Sequence, residues 1–369
     1  MNSAGVYVHI PFCAHKCFYC DFYSQIRSQS IREEYVNALI HQIRHTSFEP
    51  PIQTVYLGGG TPSLLRPQQI DRILTALTNG ANLDPDAEIT MEINPETVTL
   101  QDLYDLQNSG VNRFSMGVQT LDDALLKTLG RTARAQDCRR AVENLRRAGA
   151  DNISLDLMLA IPGQTMDSLQ QTLSEMLDWK PEHISAYLLK VEPGSVFGRT
   201  GVREADEDTQ SDFYLQTCKR LCQSGYEHYE VSNFAQPGFR SRHNQIYWNG
   251  GVYFALGCGA SGFDGTHRFK IPADTTAYIR ANGLLEPVIE QTLTAQDRDA
   301  EYWMLRLRTS DGVDQNRAND RQRLFLEQLV KQKLAAPTSN GWALTARGFL
   351  VSNEIILQLL DRMRKKKIF

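Results

Sequence analysis

Apolar residues recur through the first half of the chain in short runs that end on polar or glycine-rich sequence. The runs are VYVHI (6–10), TVYLGG (54–59), EITMEIN (88–94), NRFSMGV (112–118), NISLDLML (152–159) and HISAYLLKV (183–191). Segments with helical character separate them, at 31–46, 67–79, 99–109, 134–148, 166–179 and 205–224. In 134–148 the apolar positions Ala141, Val142, Leu145 and Ala148 follow a helical period, and Gly149 supplies a stop. Six strands alternating with six helices predict parallel βα units. Near-continuous apolar strands such as LDLML predict a sheet buried on both faces. Six units are fewer than the eight of a closed barrel, so the expected fold is α/β, a partial (β/α)6 barrel. Polar and glycine-rich residues gather at the strand C-terminal ends, where βα barrels place their chemistry.

The alternation stops near residue 225. An aromatic and glycine-rich stretch follows, including HNQIYWNGGVYFALGCGASGF (243–263). From about 293 the pattern predicts a helix around 295–308, another around 320–334, a hairpin at Asn340-Gly341 and a final helix near 346–364. Helices plus a hairpin predict a C-terminal helical, winged-helix-like module, read as a packing unit because no basic recognition helix accompanies it. The expected division is 1–230 for the partial barrel, 231–290 for an extension completing its core, and 291–369 for the helical module.

Composition narrows the function. A net charge of −4 and 41% hydrophobic residues suit a folded protein with a large core and argue against a nucleic-acid partner. The one basic block, Arg364 to Lys367, reads as a solvated tail. No run approaches a membrane span and no signal peptide is visible, so the expectation is a cytoplasmic protein that is not integral to a membrane. In that compartment seven cysteines are free thiols or metal ligands rather than disulfides.

Three of the seven, Cys13, Cys17 and Cys20, fall within HIPFCAHKCFYCDFYS. A zinc site is one reading, with His9 or His15 as the fourth ligand, but zinc knuckles come as two separated pairs. A cubane iron–sulfur cluster is the better one, since three thiolates on one loop leave one iron open for a ligand. Phe18, Tyr19 and Phe22 are then expected to wall the cluster. Cys218 and Cys222, four apart on a helix, read as core, as do Cys138 and Cys258. Glu92, Gln119 and Asp156 lie in or at the ends of successive strands. Charge inside an apolar strand is costly unless it is paired or functional, so together they predict one pocket.

The spacing C-x3-C-x2-C after the first strand, with an aromatic residue before the last Cys, resembles the radical S-adenosylmethionine (SAM) superfamily. The resemblance implies a radical-SAM barrel whose cysteines hold a [4Fe–4S] cluster and whose open iron binds SAM. GGGTPS (58–63) is similar to that superfamily's glycine motif. VYVHIPFCAHKCFYCDFYS, GGGTPSLL, RFSMGVQT, IPGQT and SRHNQIYWNG together resemble the HemN/HemW group over about residues 5–360. By motif position, SAM contacts are expected at Tyr7, Tyr19, Gly59, Gly60, Thr61, Glu92, Gln119, Arg131 and Asp156, with Lys190 a further position.

Two features divide the group. Its oxygen-independent coproporphyrinogen III oxidases carry another cysteine two residues after the third, where this chain has Phe22, and a longer arm before the motif. The departures point to the heme-chaperone branch, whose members bind heme and pass it to acceptor apoproteins, with those of the respiratory chain as candidate acceptors. The alternative is the oxidative decarboxylation of coproporphyrinogen III. In the chaperone branch HNQIYW is linked with heme, which implies His243, Asn244, Tyr247 and Trp248 as heme-site residues. Imidazole can ligate the iron, and the aromatic rings can pack on a porphyrin.

Overall fold

A computed structural model describes residues 4–362; the basic run at 364–367 lies outside the described residues. Six parallel strands stand side by side in chain order: β1 (Ala4–Ile10), β2 (Ile52–Gly59), β3 (Leu83–Ile93), β4 (Arg113–Gln119), β5 (Ile153–Leu159) and β6 (His183–Leu188). Helices Gln29–His45, Pro67–Gly80, Leu100–Asn108, Ala135–Ala148 and Met166–Asp178 connect them, and Glu207–Gln223 follows β6. Two short helices, Asp123–Thr128 and Val196–Thr200, were not legible as periodic segments, because five or six residues carry less than two turns of pattern. Gly149 ends its helix at φ 88°, as expected of a left-handed cap.

The sheet does not stop at six strands. β7 (Glu227–His228) and β8 (Asn233–Ala235) extend the β6 edge antiparallel. At the other edge the aromatic and glycine-rich stretch supplies β9 (Tyr253–Leu256), parallel to β1. The antiparallel strands β10 (Ser261–Phe263), β11 (His267–Lys270) and β12 (Val288–Thr292) follow outward from it. The result is a twelve-stranded sheet with β1 in its interior.

Along each parallel strand the side chains alternate. Val6, Val8 and Ile10, Val55 and Leu57, Ile89, Met91 and Ile93, Phe114, Met116 and Val118, Leu155 and Leu157, and Ile184 all join the main apolar core. Their neighbours are Tyr7 and His9, Thr54 and Tyr56, Glu88, Thr90 and Glu92, Arg113 and Ser115, Ser154 and Asp156, and His183, Ser185 and Tyr187. Successive strand residues point to opposite faces. The outer face is therefore apolar under the helices, and the inner face is polar. The sheet is buried on both faces, as its near-continuous apolar strands predict, although one of the two faces is polar. The inner residues are mostly buried, but against one another and a cleft rather than against hydrocarbon.

The C-terminal part contains helix Ala295–Arg306, helix Asp320–Lys331 and a small antiparallel sheet of β13 (Val313–Asp314), β14 (Ala335–Pro337) and β15 (Gly341–Leu344). The hairpin at Asn340-Gly341 forms as predicted, with the Thr338 N–H donating to the Gly341 carbonyl at 2.9 Å. The final helix is two pieces, Ala346–Leu350 and Ser352–Asp361, because β-branched Val351 leaves helical dihedrals at φ −112°, ψ 21°. Most buried apolar residues form one cluster from Ala4 to Leu359, and a second, smaller cluster gathers Leu125, Leu129, Met158, Ile161, Leu189 and Phe197. Among the described residues no helix is long and apolar enough to cross a membrane.

Candidate functional site

The polar inner face opens at the strand C-terminal ends into a cleft of about 730 Å³. The cysteine loop forms its upper wall. Its base is closed by the Cys13 N–H donating to the Gln25 carbonyl (3.1 Å) and the Gln25 N–H to the Pro11 carbonyl (2.8 Å). Its tip is pinned from afar: the Phe18 N–H donates to the Leu129 carbonyl (3.0 Å), and the Phe18 carbonyl accepts from Phe197 (2.9 Å). The His15 ring nitrogen Nε2 hydrogen-bonds the Gly130 carbonyl. Within this frame Cys13, Cys17 and Cys20 are free, half-buried and on the cleft wall.

The glycine turn after β2 lies beside them. A Cβ on Gly60 would stand 2.6 Å from the Phe12 carbonyl oxygen, and Gly59 holds φ 114° with His9 packed against it, so both positions need glycine. The Thr61 hydroxyl points at the Cys13 sulfur (3.7 Å) and accepts from Asn94 Nδ2 (3.2 Å). Arg131 reaches back across the barrel. Its Nη2 donates to the Gly117 carbonyl (2.6 Å), its Nη1 points at the Cys17 sulfur (3.9 Å), and its Nε is buried without a partner.

Below the cysteines lie two buried carboxyls. Glu92 accepts from the Tyr56 hydroxyl (2.9 Å) and the Gly59 N–H (3.1 Å). Burial pushes it up to about 7 against those hydrogen bonds, which pull it down. Asp156 accepts from Ser115 (3.4 Å), and burial pushes it up to about 6. Gln119 takes φ 66°, uncommon for a residue with a side chain, and its Oε1 accepts from the Tyr187 hydroxyl (2.9 Å). Backbone held in this way at a strand end marks a constrained position, and such positions gather at binding sites.

The cleft therefore brings together Cys13, Cys17, Cys20, Tyr19, Gly59, Gly60, Thr61, Glu92, Gln119, Arg131, Asp156, Lys190 and Asn244. Lys190 is at the rim, two residues beyond the observed end of β6, paired with Glu192 at 3.2 Å. Of the expected apolar wall, Tyr19 and Phe22 line the cleft beside the cysteines, Phe22 at 70% exposed, while Phe18 packs against Phe197. Four expected residues are off the cleft wall. Tyr7 sits behind Tyr56, its hydroxyl 3.1 Å from His9 Nδ1. His243 is buried in helix Arg242–Trp248 with Nδ1 2.7 Å from the Thr54 hydroxyl and Nε2 2.7 Å from the Tyr247 hydroxyl. Burial pulls its imidazole down to about 3, with Arg113 adding to the effect, so it is neutral. Tyr247 packs edge-on against Tyr253, and Trp248 ends the helix half-buried.

Tyr56, Asn94, Arg113, Ser115, Ser185 and Tyr187 also line the cleft and were not foreseen. For all but Asn94, which follows β3, the signal was present in the alternation of polar and apolar residues along β2, β4 and β6. Of the other cysteines, Cys138, Cys218 and Cys258 are buried, while Cys222 is exposed, a correction to its reading as core. Helix Glu207–Gln223 turns Cys222 past the edge of its apolar face.

The donor set fits an iron–sulfur cluster. Three unpaired thiols share one wall, flanked by hydrogen-bond donors aimed at two of the sulfurs and by glycines that leave the backbone open. A zinc ion needs its donors converged on a single point, and among the described residues no three His, Cys, Asp or Glu side chains converge in that way. A cluster takes each thiolate on a separate iron.

Residues 7–176 match the Radical SAM superfamily. The chain is 36% identical to the heme chaperone HemW of Lactococcus lactis subsp. lactis (strain IL1403), over 97% of each protein. It is 32% identical to the heme chaperone HemW of Escherichia coli (strain K12), over 95% of this chain and 97% of that one. Among solved structures, coproporphyrinogen III oxidase (HemN) from Escherichia coli, described as a radical SAM enzyme, superposes with a TM-score of 0.82. The match covers 98% of this chain and 91% of that one at 23% identity, a likeness of fold.

Proposed function

Because the chain belongs to the HemW family of the radical SAM superfamily, we propose that it is a heme chaperone carrying a [4Fe–4S] cluster and SAM, which binds heme and passes it to acceptor apoproteins. The observation that carries the cofactor reading is the convergence of three free cysteines, the glycine turn and the carboxyls Glu92 and Asp156 on one cleft. Cys13, Cys17 and Cys20 would hold the cluster. Gly59, Gly60 and Thr61, with Glu92, Gln119, Arg131 and Asp156, would hold SAM. When bound, the cluster supplies a single electron to the SAM sulfonium.

The residues of the chain do the positioning. The two glycines let backbone N–H and C=O groups approach a ligand closely. Arg131, with its buried Nε unpartnered, offers a fixed positive charge next to Cys17. Glu92 and Asp156 accept hydrogen bonds from a cationic ligand more strongly once its charge draws off their protons. Asn244 carries the helix 242–248 to the cleft wall, which supports that helix as part of the heme site. For His243 to ligate iron it must release the Thr54 or the Tyr247 hydroxyl.

The test is a paired assay on protein prepared and reconstituted without oxygen. One arm titrates heme by absorbance; the other supplies coproporphyrinogen III, SAM and reductant. The expected result is saturable heme binding near one equivalent and no protoporphyrinogen. Conversion at a useful rate, or no heme bound, overturns the reading.

A further inference from the structure

The lower end of the cleft holds a charge that nothing else in the site uses. Arg113 opens β4, points to the inner face and is 2% exposed. A guanidinium stays protonated in a protein, and burying it unpaired is costly. Yet among the described residues Arg113 has no ion pair. The one hydrogen bond of its side chain is a long one from Nη1 to the Thr90 hydroxyl, at 3.5 Å, and its Nε is buried without a partner.

The nearby carboxyls are spoken for. Glu88 accepts the N–H groups of Arg242 and His243, both at 3.0 Å, at the start of helix 242–248. Glu92 is held by Tyr56 and Gly59, and Asp156 is bonded by Ser115. The cleft wall also carries the neutral polar side chains Ser115, Ser185, Ser232, Asn233 and Asn244, and, against the burial that raises it, the charge of the guanidinium lowers the nearby Asp156 carboxyl without forming an ion pair with it. A permanent cation on the wall of an open cleft, with no ion pair among the described residues and an unpartnered Nε, is a receptor for a small anion. A carboxylate matches it in charge and in planar shape, since guanidinium and carboxylate can pair through two parallel hydrogen bonds. A doubly charged phosphate would face Glu92 and Asp156 with one charge uncompensated.

We propose that Arg113 anchors a carboxylate of the bound ligand, namely a propionate arm of the tetrapyrrole, which extends down the cleft. The proposal rests on the heme-chaperone reading and adds a specificity to it: the chain selects heme by an acid side arm as well as by its iron.

The test compares heme with its dimethyl ester, in which both propionates are blocked, titrated into the anaerobically reconstituted protein in one detergent buffer. Wild type should bind heme more tightly than the ester by on the order of tenfold or more, the worth of a charged hydrogen-bonded pair. R113Q should bind the two alike, and R113K, which keeps the charge without the fork, should retain part of the preference. Iron content and Tm report whether each variant folds. Equal affinity of wild type for heme and ester overturns the proposal while leaving the chaperone reading in place, and this arm needs no variant. An intact preference in folded R113Q also overturns it. If wild type binds neither compound, both readings fall together. If R113Q loses affinity for SAM while keeping its preference for heme, the carboxylate anchored is that of SAM and the propionate assignment is wrong.

Discussion

The cysteine loop, residues 12–25, and the helix Arg242–Trp248 are both short and dense in motif residues, and they are built in opposite ways. The loop holds its backbone rigidly, at the Cys13–Gln25 base and at the Phe18 tip, and leaves its three sulfurs free. The helix does the reverse: its most reactive side chain, His243, has both ring nitrogens engaged and is stacked on Tyr56 at 5.1 Å. A side chain with unspent valence at a cleft is ready to take a ligand. One whose valences are filled by neighbours first serves the fold, and any ligand role needs a second arrangement. Identical motif strength in the two stretches thus corresponds to different degrees of readiness.

The sharpest way to break that contrast is at the sulfurs. Replacing Cys13, Cys17 or Cys20 by Ser in the reconstituted protein should abolish most of the bound iron and the brown absorbance, whereas Cys138→Ser and Cys222→Ser should retain both. Iron and acid-labile sulfide analysis reads the outcome. Iron retained in all three loop variants would sink the cluster assignment.

His243→Ala sharpens the contrast from the other side. It strands the Thr54 and Tyr247 hydroxyls in the interior, so it should cost about 2–4 kcal/mol of stability, while cluster iron stays in place. The sign of the pH effect follows from the lowered imidazole. Folded His243 stays neutral to about pH 3, whereas the unfolded chain takes up a proton below about 6.5. Its contribution is therefore complete above about pH 6.5 and is lost as pH falls toward 3, at about 1.4 kcal/mol per pH unit. Denaturant melts of wild type and variant between pH 4 and 7 should show a shallower acid slope in the variant. An unchanged slope and unchanged stability would mean that His243 is not locked as described.

The smallest effect is expected at Phe22. Being 70% exposed, it has little burial to lose, and Phe22→Ala should change stability by no more than about 0.5 kcal/mol, with iron content preserved. A large loss of iron would show that Phe22 shields the cluster despite its exposure.

Much of this was legible in the sequence because the signals were local. The six parallel strands and their helices announce themselves by apolar runs and by caps such as Gly149, and the three cysteines by spacing alone. Glu92, Gln119 and Asp156 stood out as polar residues in or at the ends of apolar strands and do meet in one cleft. What escaped notice depends on partners far away in the chain. The half-step alternation that makes the inner face polar was masked by the size of its apolar partners, so Arg113, Ser115 and Tyr187 passed as ordinary strand residues. The strands Asn233–Ala235 and Tyr253–Leu256 are too short to register without the sheet edges that hold them. The filled valences of His243 depend on Thr54, and that separation is invisible to any local pattern.

The place of β1 between β2 and β9 has a consequence for synthesis. Its second neighbour, Tyr253–Leu256, is made roughly 240 residues after β1 itself. At about 5–20 residues per second, translation leaves that flank of the strand open for about 12–50 seconds. An open strand flank is a template for pairing with foreign chains. The cysteine loop begins two residues beyond this strand, so the thiols destined for iron emerge from the ribosome attached to a sheet whose neighbour has yet to be translated. The order of assembly is thus set by geometry: the loop can be pinned at Gly130 and Phe197 early, but its supporting strand is clamped on both sides only after some two-thirds of the chain exists.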